Sequence, residues 1–153
     1  MSANAGIPPH YDLIGSRGRG SIGTEIMETV SKILFVAAGG AFGAAARYLL
    51  NISPLANTFE RFPLPTVTIN VIGSFGIGFL AVLFANNAGI SEQVRLAVIV
   101  GFLGAFTTFS AFEFELYGLF KDGFPLTAVL YLLMSVTVGF VALIAGVRLA
   151  SQI

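Results

Sequence analysis

The chain has 153 residues, 56% of them hydrophobic and 10% charged, with a mean hydropathy of +0.87 and a formal net charge of zero. Soluble domains carry roughly 25% charged residues, so this composition excludes an ordinary soluble protein and points to a membrane protein. The absence of cysteine excludes disulfides and thiolate metal sites, and the absence of a basic field removes the electrostatic case for a nucleic-acid partner.

Residues 1–27 are rich in glycine and serine, contain Pro8-Pro9 and Arg17-Gly-Arg19, and hold the only histidine, His10. They lack the basic start and apolar core of a cleaved signal peptide and read as a flexible polar tail. Residues 28–153 form the second unit, a four-helix transmembrane domain. A membrane-spanning helix takes about 20 apolar residues. Four segments meet that length, near Val30–Leu50, Pro65–Asn86, Val94–Phe120 and Pro125–Ala150. Turn and charge signals part them: Asn51, Ser53, Pro54, Asn57 and Pro63, then Asn86 to Glu92, then Lys121-Asp-Gly-Phe-Pro125.

Orientation follows the Lys/Arg bias near segment ends. With the tail arginines set aside, Lys32, Arg95 and Arg148 fall on one side and Arg47, Arg61 and Lys121 on the other. An even split gives no decisive bias. Such a chain inserts both ways up, and an antiparallel pair is its natural assembly.

In the first segment Gly39, Gly43 and Arg47 recur every fourth residue. Small residues at that spacing let another helix approach closely. Arg47 sits near the segment's end, where two readings stay open: it snorkels to the interface, or it holds positive charge at a vestibule and draws in anions. In the second segment Asn70, Ser74 and Gly78 make a similar stripe. An amide inside a span needs a partner or water. The bland reading is an inter-helix hydrogen bond worth on the order of 1 kcal/mol; the functional one is an N–H donor facing an aqueous path.

The third segment carries Gly101-Phe-Leu-Gly-Ala-Phe-Thr-Thr-Phe-Ser-Ala-Phe-Glu-Phe-Glu115. Gly101 and Gly104 loosen the backbone, and the hydroxyls of Thr107, Thr108 and Ser110 compete with the helical ladder. Irregular backbone survives in hydrocarbon only where protein or a water-filled cavity surrounds it. The third helix is therefore expected to be broken near mid-membrane, as a candidate ion or substrate site; the alternative is a kinked packing helix. Phe109 and Phe112 stand three apart, on one face of the helix that resumes. Glu113 and Glu115 point about 200° apart and cannot share one path, so a structural role is preferred for both. In the fourth segment Tyr131, Ser135 and Gly139 share one face.

No catalytic constellation is present: there is no serine–histidine pair, metal-ligand cluster or phosphate-binding glycine loop, and the chain does not read as an enzyme. The intramembrane polar groups are hydroxyls and one amide, which replace part of an anion's water shell. Phenylalanine ring edges add weak attraction for a small anion. Conduction needs binding that offsets dehydration yet permits exit, which neutral donors and ring edges satisfy.

Three motifs, Gly39-Gly-x-x-Gly-x-x-x-Arg47-Tyr48, Thr68-x-Asn70-x-x-Gly73-Ser74-Phe75 and Gly101-Phe-x-Gly104-x-x-Thr107-Thr-Phe-Ser-x-Phe112, together resemble the CrcB/Fluc fluoride channels. The resemblance covers roughly residues 30–150. It implies an all-α membrane protein that assembles as an antiparallel, dual-topology homodimer in the cell (inner) membrane and exports fluoride passively. Phe109 and Phe112 match the family's pore phenylalanines, Asn70 its pore asparagine and Ser110 the hydroxyl after the first ring. Gly104 and Thr107 match the positions whose backbone carbonyls, two from each subunit, hold a sodium ion at the dimer axis. Glu115 matches an acidic position, Tyr131 and Ser135 a polar track, and Arg47 a vestibule arginine. Taken together, the expected ion pathway is Asn70, Ser74, Thr108, Phe109, Ser110, Phe112, Tyr131 and Ser135. Two departures stand out: Ala111 and Gly139 lack hydroxyls that family members often carry there. The alternatives are a small four-helix proton-coupled antiporter, which needs Glu113 or Glu115 as a buried acid facing the path, and a non-transporting helical subunit.

Overall fold

The computed structural model describes residues 17–59 and 61–153, with side chains from residue 22 onward. Among these, every regular element is helical, and four helical stretches are long and apolar enough to cross a membrane.

Helix α1 spans Arg17–Asn51. It starts well before residue 28, so residues 17–27, expected in the flexible tail, are helical; residues 1–16 and His10 lie outside the described residues. At ~1.5 Å per residue its 35 residues reach roughly 52 Å, more than the ~30 Å hydrocarbon layer. The Ser53 hydroxyl donates to the Leu50 carbonyl (2.6 Å) at its end, and a 3-10 turn, Pro54–Asn57, follows. Helix α2, Leu64–Asn86, opens with Pro65 in its first turn, where a missing N–H costs nothing.

The third stretch is irregular. Its first turn, α3 (Glu92–Arg95), is capped by the Ser91 hydroxyl, which accepts from the Val94 N–H. A π-helical run, Leu96–Leu103, leads into α4, Gly104–Phe106. Thr107 is then extended (φ −76°, ψ 156°), and α5 runs from Ser110 to Lys121. Gly104 itself keeps helical angles (φ −64°, ψ −36°), so the backbone leaves the helix at the threonine. Gly123 turns the chain with φ 85°, the left-handed region open to glycine, into α6, Pro125–Ala150.

The helices pack as two close pairs. A Cβ at Gly39 would overlap the Ala97 carbonyl, and one at Gly43 the Phe102 carbonyl, so α1 lies backbone-to-backbone on the π-helical run. Between α2 and α6 the same contact forms at Gly78 against the Leu143 carbonyl and at Gly146 against the Phe75 carbonyl. A core of Val67, Phe112, Leu119, Ala128 and Tyr131 joins α5 to the second pair. Lys32 ties α1 to the start of α3 through Glu92 and to Glu28, each at 2.9 Å. At the other end the Arg61 guanidinium lies 4.1 Å from the Phe124 ring centroid and links the α1–α2 and α5–α6 connections. The many large exposed apolar side chains, among them Phe42, Phe114 and Leu126, form the surface a lipid bilayer covers.

Candidate functional site

The site grows from the backbone that α4 and α5 leave uncovered. Thr107 N–H and its own hydroxyl both donate to the Leu103 carbonyl, at 3.0 and 2.9 Å. A continued helix would next pair Thr108 N–H with the Gly104 carbonyl. Instead Thr108 N–H donates to Asn70 Oδ1 (3.1 Å), and Asn70 Nδ2 donates to the Thr108 carbonyl (3.3 Å). The amide acts as a short length of complementary backbone and satisfies both main-chain groups of Thr108, which lies outside the helix, as a half-buried peptide unit requires. The hydroxyl of the same Thr108 accepts from Ala111 N–H (3.3 Å) and caps the start of α5.

These substitutions leave the Gly104 and Thr107 carbonyls without a hydrogen bond among the described residues, because the N–H groups of residues 108 and 111 point to side chains. The two are the carbonyls expected to ligate sodium. Uncommitted, hard oxygen donors suit such a cation, and Gly104 lies on the exposed surface of the chain.

Beside the bracket is a cavity of about 280 Å³ whose polar lining is Asn70, Ser74, Thr107 and Thr108, with Gly104 and the Phe109 ring also on its wall. Among the described residues, no acid, base or histidine borders it. Arg47 is half-buried and borders a second cavity, of about 570 Å³, together with Ser110, Thr108 and Ala111. Thr108 thus borders both spaces, its backbone in the Asn70 bracket and its hydroxyl under Ala111.

The remaining expected residues lie in a second group. The Phe109 and Phe112 rings are neighbours, with centroids 6.0 Å apart and planes at 38°, but Phe109 is 71% exposed and Phe112 only 5%. Phe112 packs on Tyr131 (4.9 Å) in the core. The Tyr131 hydroxyl donates to Glu115 Oε2 (2.6 Å), and the Thr66 hydroxyl to Glu115 Oε1 (2.9 Å). Ser135, one turn beyond Tyr131, has a buried hydroxyl with no hydrogen-bond partner among the described residues.

Thr66 was absent from the sequence expectations, and Glu115 entered them as a structural residue or a family match. The signal available was the phenol of Tyr131, which inside an apolar segment demands an acceptor, and Glu115 is one of only two acids on the facing segment. Glu113 is exposed.

A multi-pass helical membrane protein with an asparagine amide paired to main chain outside the helix, and a cavity edged by neutral donors, defines the class. A family model described as CrcB-like protein, Camphor Resistance (CrcB), matches residues 34–147. A protein of Chlorobium phaeobacteroides named fluoride-specific ion channel FluC is 45% identical over 123 residues, covering 79% of this chain and 93% of that protein. Proteins of the same name from Rhizobium meliloti (39% over 120 residues, 78% of this chain and 96% of that one) and Prosthecochloris aestuarii (40% over 125 residues, 82% and 97%) are similar along nearly their whole length. The chain belongs to the CrcB family.

Proposed function

We propose that the chain is a fluoride-selective channel that lets fluoride leave the cell passively through the cell membrane. The observation that carries this reading is the Asn70–Thr108 bracket, which stands beside a cavity edged by hydroxyls, an amide and a phenylalanine ring, with no fixed charge on its wall among the described residues. A strongly hydrated small anion needs such donors to leave water, and a fixed cation at the same depth would hold it too tightly to pass. The names of the relatives agree with it.

Two copies, inserted in opposite directions, form the working unit. Their third spans, each broken near mid-membrane at Thr107, face one another. The Gly104 and Thr107 carbonyls of both copies would hold a structural sodium ion, which would neutralise oxygens left without hydrogen bonds. Arg47 gathers anions at the mouth. Asn70, Ser74, Thr108, Phe109 and Ser110 line the way, and Phe112 on α5 with Tyr131 and Ser135 on α6 continue it. Apart from Arg17 and Arg19 at the start of α1, Lys and Arg divide three and three between the two ends, which supports insertion both ways up. A proton-coupled antiporter is less favoured, since Glu113 is exposed and the Glu115 carboxylate is already engaged by two hydroxyls.

Phe109→Ile, which keeps bulk and removes the ring edge, tests the reading. Fluoride efflux from liposomes should fall sharply while the protein stays folded. Wild-type flux in that variant removes the ring from the path.

A further inference from the structure

Among the described residues, the two halves of the site meet at one point. Ser74 borders the 280 Å³ cavity with Asn70, and its hydroxyl is also the one atom of another helix, among the described residues, within 4 Å of where a Cβ on Gly139 would lie, at 3.4 Å. Gly139 shares a face of α6 with Tyr131 and Ser135.

Helix packing does not account for that glycine. At Gly78 and Gly146 an added Cβ would run into carbonyl backbone, which is why α2 and α6 approach so closely there. At Gly139 no backbone of a neighbour is near, and ordinary contact with a hydroxyl is all a methyl group would meet. Ser74 and Ser135 are also set apart from other hydroxyls in or at the ends of the helices. Thr68, Thr107, Thr137 and Ser151 each donate to the carbonyl four residues back. Ser74 and Ser135 do not: neither hydroxyl has a hydrogen-bond partner among the described residues, and the Ser135 oxygen is buried. A buried hydroxyl without a partner is costly, so it marks a position where hydrogen-bonding capacity is kept for something that passes or stays.

We infer that Ser74 supplies, from α2, the hydroxyl that Gly139 does not carry on α6, and that this pair is the crossing between the Tyr131–Ser135 row and the Asn70 cavity. A small anion leaving the Ser135 hydroxyl meets the Ser74 hydroxyl across the gap at Gly139 and passes into the cavity without crossing an apolar step. The inference rests on the fluoride-channel reading and makes one residue pair exchangeable.

The test is fluoride efflux from proteoliposomes for wild type, Ser74→Ala, Ser74→Ala/Gly139→Ser and Ser74→Ala/Gly139→Ala, each first checked for the wild-type elution volume in detergent. Loss of one hydrogen-bond donor to the ion lowers flux about fivefold in Ser74→Ala. Gly139→Ser, which returns a hydroxyl to the same gap from the opposite helix, brings the double variant back to within about twofold of wild type. Gly139→Ala adds bulk without a donor and leaves it low. If Ser74→Ala does not fold, Ser74→Cys, nearly isosteric and a weak donor, takes its place with the same expected order. Wild-type flux in the Ser74 variant, or equal recovery by alanine and serine at 139, overturns the pairing while the channel reading stands. Wild-type vesicles that retain fluoride overturn the channel reading, and the pairing with it.

Discussion

Replacing Asn70 by leucine removes the groups that hold Thr108 out of the helix. Two hydrogen bonds go, at 3.1 and 3.3 Å, and both involve main-chain atoms of one half-buried residue. Hydrogen bonds between membrane helices average about 0.6 kcal/mol, but a buried N–H or C=O left bare costs about 1–3 kcal/mol. The chain has an escape: Thr108 N–H can return to the Gly104 carbonyl and close the helix. The variant therefore pays for either an orphaned peptide or a rebuilt backbone, and about 2 kcal/mol is a reasonable size for the loss. If the open geometry is needed for passage, that figure corresponds to a flux reduction of roughly thirtyfold. Asn70→Asp separates the two bonds, since its carboxylate still accepts from Thr108 N–H but faces the Thr108 carbonyl with a second acceptor; it should lose as much flux as leucine does. The assay is fluoride efflux from liposomes, with thermal unfolding in detergent run alongside. Asn70→Leu at wild-type flux and wild-type melting temperature would refute the claim that this amide holds the interruption open.

Gly78→Ala should destabilise by about 1–3 kcal/mol in detergent melts, because its Cβ would meet the Leu143 carbonyl. Gly118→Ala, which meets nothing within 4 Å, should instead gain up to about 1 kcal/mol from helix propensity; an equal loss at both sites would contradict the packing assignment. Thr66→Val and Tyr131→Phe each remove one donor from Glu115, and a double-mutant cycle on melting temperature should give a coupling of at least about 0.5 kcal/mol; strict additivity would mean that the carboxylate does not join them. Replacing sodium with N-methylglucamine during purification should lower the melting temperature of wild type and change that of Asn70→Leu less, since a closed helix takes back the Gly104 carbonyl. Equal shifts in both proteins would detach the ion from the interruption.

Much of the architecture was legible because the bilayer imposes it. The spans expected at Pro65–Asn86 and Pro125–Ala150 agree with α2 and α6 to within a residue, since proline at one end and polar turns at the other bound an apolar run of the required length. The start of α1 was not legible. Glycines near residue 20 argue against helix, yet a helix already formed downstream extends at little cost, and the run from Thr24 to Val30 has no breaker. Sequence alone marks Gly101 and Gly104 as the loosened points, whereas the backbone departs at Thr107. In apolar surroundings a glycine gains by keeping its hydrogen bonds, so the location of the departure depends on a side chain 38 residues away, Asn70, and local propensity does not report it. The three-residue spacing of Phe109 and Phe112 suggested a common face. The rings do touch, but Phe109 precedes the first turn of α5 and turns to the cavity while Phe112 enters the core. The Glu115 cluster was hidden for a related reason: it assembles Thr66, Glu115 and Tyr131 from three helices, and no spacing along the chain brings them together.

A neutral, donor-lined path should accept fluoride and refuse a larger, more weakly hydrogen-bonding halide. Purified wild-type protein in liposomes loaded with potassium fluoride or potassium chloride, with valinomycin to carry the balancing charge, measures this directly. Rapid release of fluoride with chloride retained is the expected result. Chloride leaving at a comparable rate would contradict it.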